Sequence, residues 1–438
     1  MDEKRVGIVT LGCKVNQYES ASLAGLLREQ GYRLVDFEET ADIYVINTCT
    51  VTHLSDRKSR QFIRRATRKN PDALVVVTGC YAQTSFSEIM KIPGVDLVVG
   101  TRDRAKIAEL VKTAVKGGKP FAAVSDYEVG DQFEEISSMP LSGRTRAFLK
   151  IQEGCNNCCT YCIIPVARGP LRSMKPDNVL KTARQLVEAG FKEIVLTGIH
   201  TGAYGRDLGG NITLSALLRS LQNIPGLLRV RLSSIEPNDI TPELVEVLAS
   251  SEKFCRHLHV PLQSGDDGVL ERMGRRYNTW EYLRLVEVLR DNIPNLGLTT
   301  DVIVGFPGER EVDFQNTYRF VENLSYSRLH VFKFSPRRGT PAADYPEQVD
   351  PPTREQRSSS LIRLGEKMAT RFASSLIGME LTVLVERSLP EADGLYEGLT
   401  DNYVRTVFPG DEDLPGQVVK VKIGGLEENH LTGKIIGF

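Results

Sequence analysis

The sequence predicts an α/β protein of 438 residues in three parts. An N-terminal α/β parallel-sheet domain comes first, six strands alternating with helices form the centre, and a small antiparallel β-barrel ends the chain. In the first two parts, continuous β-branched runs alternate with helical patterns, which is typical of buried parallel strands. In the last part, short strands are separated by Gly and Pro. We place the parts at residues 1–116, 144–373 and 374–438, with an aperiodic linker at 117–143 that includes Ser137 and Ser138.

Three strand-like runs in the first part each lead to a cysteine. Residues 6–11, 43–48 and 74–79 precede Cys13, Cys49 and Cys80, and residues 19–30 have a helical pattern. Ligands of open parallel sheets bind beyond the carboxyl ends of the strands. We therefore expect the three thiols to converge on one edge.

Three reasons could explain these cysteines. A single buried cysteine is usually a core residue, but three strands that end in the same way favour an iron–sulfur cluster with one iron left open. Zinc bound by the three thiolates and a fourth ligand such as His53 is the remaining alternative.

A second set of cysteines opens the central part. Cys155, Cys159 and Cys162 have C-x3-C-x2-C spacing, with Tyr161 before the last. This spacing supplies three thiolates to a four-iron cluster and leaves one iron open for a cofactor. Zinc is disfavoured because the two C-x-x-C pairs lie back to back. Cys158 is expected to be an inert buried thiol, because in its register the third ligand would be Pro165.

The rest of the central part supports a barrel-like arrangement. Helical stretches at 176–189 and 279–292 lie between strand candidates, and the six candidates are residues 148–151, 193–198, 229–234, 256–261, 298–305 and 328–334. Active sites of such barrels gather at the carboxyl ends of the strands. The polar or small residues at these ends are Thr197, Gly198, Ser233, Glu236 and Gln263, and Asp301 is a further candidate near the fifth strand.

The central cysteine triplet resembles the signature of radical S-adenosylmethionine (SAM) enzymes. That resemblance implies a partial (β/α)6 barrel in which the open iron chelates SAM and the reduced cluster cleaves it to a 5′-deoxyadenosyl radical. Thr197 and Gly198 stand where the family binds the SAM amino group. The resemblance makes Ser233, Glu236, Gln263 and Asp301 candidates for contacts with the SAM ribose, the SAM amino acid or the substrate.

Residues 10–17, 47–52 and 78–83 resemble the three cysteine motifs of the methylthiotransferases. This closer resemblance implies two [4Fe–4S] clusters, with Cys13, Cys49 and Cys80 holding the auxiliary one, and a C-terminal TRAM domain. It also implies two uses of SAM: one molecule methylates sulfur, and the other yields the radical that abstracts hydrogen from the substrate. An electron donor similar to flavodoxin or ferredoxin and a sulfur donor are implied as partners.

The forms of residues 12–17 and 47–52 are most similar to the branch that modifies threonylcarbamoyladenosine. This implies methylthiolation of C2 of N6-threonylcarbamoyladenosine next to the anticodon, in the anticodon stem-loop of tRNA. Isopentenyladenosine in tRNA and an aspartate of a ribosomal protein are the alternative substrates of the family. A non-catalytic iron–sulfur sensor that binds RNA is an alternative of a different class.

Composition limits where in the cell the protein is expected to work. No apolar run reaches the length of about 18 residues that a membrane span needs. The sparse cysteines and the absence of a signal peptide indicate reduced thiols in the cytoplasm.

The net charge of −1 gives no overall attraction to nucleic acid. Residues 57–69 nevertheless place seven cations on one predicted helix. Residues 376–438 carry a charge of −6, which leaves Arg405, Lys420 and Lys422 as local cations.

Overall fold

The computed structural model describes residues 3–128, 130–136, 144–389, 394–411 and 413–438. The linker predicted at 117–143 lies in part outside these residues, including Ser137 and Ser138. Up to residue 173, the elements in chain order are β1 Arg5–Thr10, α1 Lys14–Glu29, β2 Arg33–Val35, β3 Ile43–Thr48, α2 His53–Lys69, β4 Leu74–Gly79, α3 Cys80–Ile89, β5 Leu97–Val99, α4 Ile107–Thr113, β6 Phe121–Ala123, β7 Arg146–Lys150, β8 Gln152–Glu153, α5 Ile164–Arg168 and β9 Arg172–Ser173.

The remaining elements continue in the same alternating order and then become all-β. They are α6 Pro176–Glu188, β10 Glu193–Thr197, α7 Leu214–Leu221, β11 Arg229–Leu232, α8 Pro242–Ala249, β12 His257–His259, α9 Asp267–Arg272, α10 Thr279–Asn292, β13 Gly297–Val304, α11 Glu311–Leu324, β14 Arg328–Lys333, α12 Pro351–Ser375, β15 Glu380–Ser388, β16 Leu395–Thr400, β17 Arg405–Pro409, β18 Val418–Glu427 and β19 His430–Gly437.

The chain forms two compact units. The first comprises Met1–Ser142, Lys150–Met174 and Ser335–Ala343, and the second comprises Gly143–Leu149, Lys175–Phe334 and Asp344–Phe438. Lys150–Met174, which carries the central cysteines, thus packs in the same unit as the N-terminal sheet.

The first unit is built on a parallel sheet, as the β-branched runs predict. The strand order is β2-β1-β3-β4-β5-β6, and every neighbouring pair is parallel. One face of the sheet packs on α2 and α3, and the other packs on α1 and α4. β6 lies inside the segment predicted to be a linker. Its three residues include two alanines, so it lacks the β-branched pattern that marks a strand.

Helix α2 starts right after the Cys49 loop. The Thr52 hydroxyl oxygen caps it by accepting a hydrogen bond from the backbone N–H of Ser55 at 3.1 Å. Ile63 and Ala66 are buried against the sheet, whereas most of its cations are exposed. This is the pattern of an amphipathic surface helix.

The second unit contains the six predicted central strands in chain order. They form two three-stranded sheets, β11-β10-β7 and β12-β13-β14. Parallel bridges between Val230 and Phe254 and between Ser234 and His259 join the two sheets. The predicted succession of six strands with helices between them is therefore confirmed.

Strands β15 to β19 form a closed barrel in the order β15-β16-β17-β19-β18. The sequence pattern predicts strands at residues 381–385, 404–408, 418–423 and 431–437 and misses β16, which contains a Gly and is flanked by acidic residues. The pairing is antiparallel except between β17 and β19, which are parallel. No helix in the described part of the chain is both long and apolar enough to cross a bilayer.

Candidate metal centre and cofactor site

The structure places the three N-terminal cysteines at one edge of the sheet. Cys13 precedes α1, Cys49 directly follows β3, and Cys80 directly follows β4. Because β1, β3 and β4 are adjacent and parallel, their carboxyl ends lie side by side. Cys49 and Cys80 are buried, and Cys13 is exposed.

Close packing of the loops brings Cys13 and Cys49 together. Gly12 has a φ of +99°, and a Cβ at this position would lie 3.0 Å from the Cys49 sulfur. Asn16 is buried, and its amide nitrogen donates hydrogen bonds to the Leu11 carbonyl at 2.7 Å and to the Thr48 carbonyl at 3.0 Å. The Cys13 sulfur lies 3.8 Å from the Asn16 side-chain oxygen. Asn16 therefore fixes the loops that carry both cysteines.

Burial controls the protonation of the inner thiols. It raises the pKa of Cys80 to about 12, against the opposing effect of Arg168, and it also raises the pKa of Cys49. Burial therefore favours the protonated form of both thiols when no metal is bound. Metal binding at this edge must therefore release protons.

The three thiols of this edge are not arranged around a single metal ion. Among the described residues, no group of three or more His, Cys, Asp or Glu side chains is arranged to hold a metal ion. A single zinc ion needs each thiolate sulfur at about 2.3 Å from the metal. An iron–sulfur cluster binds each thiolate to a different iron, so its ligand sulfurs are farther apart. His53, the suggested fourth ligand, is exposed at the start of α2.

The central cysteines lie on the loop between β8 and α5. Cys155, Cys159 and Cys162 are all half-buried. The backbone N–H of Cys155 donates to the Gly169 carbonyl at 3.1 Å, and that of Cys162 donates to the Cys159 carbonyl at 3.0 Å. These bonds close the loop at its base and within its last turn, so the three thiols are held on one short segment.

Cys158 differs from the prediction. It is exposed, so the expectation of a buried thiol is wrong. The loop is irregular at this point, and its side chains alternate between exposed and half-buried positions rather than facing a core. The Cys158 sulfur lies 3.9 Å from the Asn156 carbonyl.

A buried ionic network adjoins the cysteine edge inside the first unit. Arg168 is fully buried, and its Nε donates a hydrogen bond to the Cys80 sulfur at 3.2 Å. It also contacts the buried carboxylates of Glu19 and Glu153. Burial opposes ionisation of the two carboxyls, but the adjacent cations Arg104, Arg168 and Lys150 outweigh it and hold the pKa of both below the usual range.

In the second unit, the predicted cofactor residues lie at the carboxyl ends of the strands, with one exception. Thr197 ends β10, Gly198 follows it, and Ser233 follows β11. Glu236 and Gln263 lie in the loops after β11 and β12. Asp301 lies within β13, opposite His330, and not at the end of the strand.

Several of these side chains already have partners. The Ser233 and Thr201 hydroxyls are 3.0 Å apart, and Glu236 forms an ion pair with Arg275. Asp301 Oδ2 lies 3.2 Å from His259 Nε2. Gln263 has a φ of 67°, and its backbone bonds to the β13 backbone at Asp301 and Ile303. The strand ends of β10 to β12 are thus braced by local polar contacts.

Comparison with known proteins places this arrangement in a family. The model of uncharacterized protein family UPF0004 matches residues 5–100, that of the radical SAM superfamily matches residues 149–321, and that of the TRAM domain matches residues 374–436. The chain is 50% identical over 421 residues to "Threonylcarbamoyladenosine tRNA methylthiotransferase MtaB" of Bacillus subtilis, which covers 95% of this chain and 93% of that protein. The chain belongs to the methylthiotransferase family of radical SAM enzymes.

Other relatives are named for a different nucleoside. The "tRNA-2-methylthio-N(6)-dimethylallyladenosine synthase" of Pelotomaculum thermopropionicum is 36% identical, over 98% of this chain and 97% of that protein. Among solved structures, the radical SAM methyltransferase TsrM of Kitasatospora setae has a TM-score of 0.57 and 16% identity, covering 78% of this chain and 77% of that one. The TsrM likeness shows the fold.

Membership in the methylthiotransferase family implies SAM and a [4Fe–4S] cluster. The first unit offers two sets of three thiols to such clusters, one at the sheet edge and one on the loop after β8. Each set supplies one thiolate fewer than the four irons need, which fits a cluster with an open iron.

The C-terminal barrel of this methylthiotransferase has few unpaired cations. Arg405 contacts Glu397 at 2.6 Å, Lys420 contacts Glu380 at 3.0 Å, and Lys422 lies 3.9 Å from Glu380. The three local cations that the sequence offered for phosphate binding in this domain are therefore all next to carboxylates. Helix α2 differs, because Arg57 and Arg64 are exposed and form no ion pair with any carboxylate of the described residues.

Sequence reasoning missed Asn16 and the ionic network of the methylthiotransferase. Asn16 lies within the cysteine motif at residues 10–17, and Glu153 and Arg168 flank the central cysteines. Proximity to the cysteine motifs was the only sign in the sequence that these residues have a role. It was a weak sign, because a charged residue beside a motif is usually exposed to solvent. Their burial depends on packing between segments more than 100 positions apart in sequence.

Proposed function

We propose that this protein adds a methylthio group to C2 of N6-threonylcarbamoyladenosine next to the anticodon in tRNA. The observation that carries the proposal is the convergence of Cys13, Cys49 and Cys80 on one sheet edge, in the same unit as the C-x3-C-x2-C loop. Support for this substrate comes from the name of the Bacillus subtilis relative, which is 50% identical.

Two [4Fe–4S] clusters are part of this proposal. Cys155, Cys159 and Cys162 would hold the cluster that binds SAM, and Cys13, Cys49 and Cys80 would hold the auxiliary cluster. When bound, the first cluster would reduce SAM, whose cleavage supplies the radical that removes hydrogen from the adenine, and the auxiliary cluster would present donor-derived sulfur, methylated by a second SAM, to replace that hydrogen. The protein contributes buried thiols, a fixed Asn16 between two of the loops, and a loop closed at its base.

SAM would lie at the carboxyl ends of the central strands, where barrels of this type bind their ligands. Thr197 and Gly198 would offer backbone groups to its amino group. Ser233, Glu236, Gln263 and Asp301 would contact the SAM ribose, the SAM amino acid or the substrate. The partners of Ser233 and Glu236 would fix their orientation before the ligand binds.

The tRNA phosphates would contact helix α2. Arg57 and Arg64 are exposed, form no ion pair among the described residues, and lie on the helix that follows the Cys49 loop. Phosphate contacts of this kind supply most of the affinity for nucleic acid. The acidic C-terminal barrel would contribute through shape or stacking rather than charge.

The remaining elements of the proposal concern location and partners. We place the reaction in the cytoplasm, with reducing electrons from a protein similar to flavodoxin or ferredoxin and sulfur from a separate donor. The domain boundaries predicted from the sequence, residues 1–116, 144–373 and 374–438, are part of the proposal, and the matches to the radical SAM and TRAM models begin at residues 149 and 374.

The deciding experiment is mass spectrometry of tRNA nucleosides from cells with and without this gene. Loss of methylthiolated threonylcarbamoyladenosine, with accumulation of its unmethylthiolated precursor, supports the proposal. The second candidate is N6-isopentenyladenosine, because relatives at 36% identity are named for the dimethylallyl nucleoside. Loss of the methylthio group from that nucleoside alone would contradict the proposed substrate.

A further inference from the structure

Arg168 is a buried cation at the edge where the three N-terminal cysteines meet. It is the last residue of α5, six positions after Cys162, and its side chain is fully buried. A buried guanidinium is strongly destabilising unless every donor has a partner. Here Nε donates to the Cys80 sulfur at 3.2 Å, Nη1 to Glu153 at 2.8 Å, and Nη2 to Asn16 at 2.6 Å.

These contacts tie Arg168 to more than one cysteine. It reaches Cys80 directly and reaches the Cys13 and Cys49 loops through Asn16, which holds the Leu11 and Thr48 carbonyls. A single guanidinium therefore connects to all three strand ends. Its planar fork gives these contacts fixed directions that a lysine could not reproduce.

The backbone on both sides of Arg168 is locked. The Ala167 carbonyl accepts a hydrogen bond from the Thr101 hydroxyl at 2.7 Å, and the Tyr127 hydroxyl donates to the same Thr101 oxygen at 2.8 Å. Gly169 has a φ of +65°, and a Cβ there would lie 2.3 Å from the Tyr127 ring. Arg168 is thus held rigidly before any metal binds, which reduces the entropic cost of its contact with sulfur.

The charge balance of the network leaves Arg168 available to a thiolate. The cations Arg104, Lys150, Arg168 and Arg172 surround three carboxylates, Glu19, Glu134 and Glu153. Among the described residues of this network, the cations therefore outnumber the carboxylates by one. A Cys80 thiolate bound to a cluster would place a negative charge beside Arg168, whose Nε already donates to the Cys80 sulfur at 3.2 Å.

We propose that Arg168 is a positioning residue for the auxiliary cluster. The hydrogen bond from Arg168 to the Cys80 sulfur keeps this ligand on the cluster and raises the reduction potential of the cluster. The inference rests on the proposed function, since it assumes a cluster at Cys13, Cys49 and Cys80. A donor and a positive charge beside a ligand sulfur stabilise the more negative, reduced state of the cluster. Arg168 also lies on the segment that carries the central cysteines, so it links the two cluster-binding segments of the first unit.

The test uses the full-length chain with Cys155, Cys159 and Cys162 replaced by alanine, so that iron can bind only at the auxiliary site. Into this parent we introduce Arg168→Gln, Arg168→Lys or Arg104→Lys. Arg104 is the matched control, because it is a buried arginine of the same network that bonds to Glu134 and Glu153 and to no cysteine. Iron content and the midpoint potential are measured after anaerobic reconstitution, the latter by a redox titration followed by electron paramagnetic resonance.

We expect Arg168→Gln to weaken iron retention by about 10- to 100-fold and to shift the midpoint potential of the remaining clusters downward. Arg168→Lys, which keeps the charge but loses the Nε donor, should give a smaller downward shift, and Arg104→Lys should match the parent. Arg168→Lys decides the matter if Arg168→Gln does not fold. If the cluster has the same midpoint potential in both Arg168 variants as in the parent, this inference alone is wrong. If the parent protein binds no iron, the assignment of the auxiliary cluster is wrong as well.

Discussion

Arg337 and Asp56 form a buried ion pair beside one of the cysteine loops. The Arg337 Nη2 lies 2.5 Å from an Asp56 carboxylate oxygen and donates to the Thr50 hydroxyl oxygen at 2.9 Å, and the Thr50 hydroxyl donates to the other Asp56 oxygen at 2.7 Å. Both charged side chains are more than 90% buried. Because Thr50 follows Cys49, this triangle fixes the loop that presents the Cys49 thiol.

Removing Arg337 should therefore loosen the first unit. Arg337→Ala leaves Asp56 buried without its cation, and breaking a pair of this kind costs about 3–5 kcal/mol. We expect that decrease in the free energy of unfolding of the metal-free protein, measured by urea denaturation. The double variant Arg337→Met with Asp56→Leu should lose less, since neither charge is then left unpaired.

The control for this experiment is Arg5→Ala, which removes one partner of the exposed pair with Glu39. Exposed pairs contribute at most about 1 kcal/mol, so little change is expected. A loss in Arg337→Ala no larger than in the control would contradict the anchoring role of the triangle.

The two cysteine sets should separate into two functions. Cys155→Ala should abolish formation of 5′-deoxyadenosine from SAM and dithionite, because the open-iron cluster loses a ligand. Cys13→Ala should retain this cleavage and lose sulfur insertion into tRNA. Both products are quantified by liquid chromatography and mass spectrometry from the same reaction.

Cys158→Ala is the matched control for that pair. Its thiol is exposed on the same loop as Cys155 and belongs to neither proposed ligand set, so both activities should persist. Normal methylthiolation by Cys13→Ala would show that the auxiliary cluster is assigned to the wrong residues. Tight tRNA binding without any SAM cleavage by the unmodified protein would favour the non-catalytic sensor.

Local sequence pattern predicts most of the long strands of this protein but not its short or irregular strands or its buried polar contacts. Residues 43–46 and 74–77 are apolar and rich in β-branched side chains, so the local pattern alone identifies them as buried strands, and parallel neighbours must end at one edge. β6 and β16 have no such pattern and are stabilised by pairing with neighbouring strands. Tertiary contacts decide such elements.

Side-chain partners depend on packing that local sequence does not encode. Arg168 meets Asn16, Glu19 and Cys80, which are separated from it by 152, 149 and 88 positions. Likewise, the pairing of Arg405 with Glu397 follows from the register of β16 and β17. A count of charges predicts the net charge of the C-terminal barrel but not which of its cations are already neutralised.

The stability of the second unit should depend on pH through Glu193. This carboxylate is fully buried; burial opposes its ionisation, but Arg231 and Arg229 outweigh that effect and lower its pKa from 4.5 to about 2. A lowered pKa stabilises the fold above the unfolded value, and the contribution disappears as the pH falls from 4.5 towards 2. The shift corresponds to about 3 kcal/mol.

We expect the difference in unfolding free energy between the unmodified protein and Glu193→Gln to be largest above pH 5 and to shrink as the pH falls through this range. Urea denaturation at several pH values, followed by circular dichroism, measures this difference. Glu243→Gln removes an exposed carboxylate that contacts Arg219 and should give a small difference at every pH. A Glu193→Gln difference that is constant with pH would contradict the lowered pKa.

Helix α2 gives the last prediction, which concerns tRNA binding. Arg57→Glu combined with Arg64→Glu reverses two exposed cations without touching a cysteine. If these residues contact phosphates, affinity for tRNA should fall by about tenfold or more, and the slope of log K against log salt should decrease by about one to two. Fluorescence anisotropy with a labelled anticodon stem-loop, measured at several salt concentrations, reports both quantities.

The matched control is Arg28→Glu with Lys112→Glu, which changes the net charge by the same amount. These exposed cations lie on α1 and α4, the helices that cover the opposite face of the same sheet. A general electrostatic effect would weaken tRNA binding equally in both double variants, because it depends on net charge alone. Only a specific contact predicts that the α2 variant loses affinity while the α1/α4 variant keeps it, so equal losses would remove α2 from the proposed tRNA-binding surface.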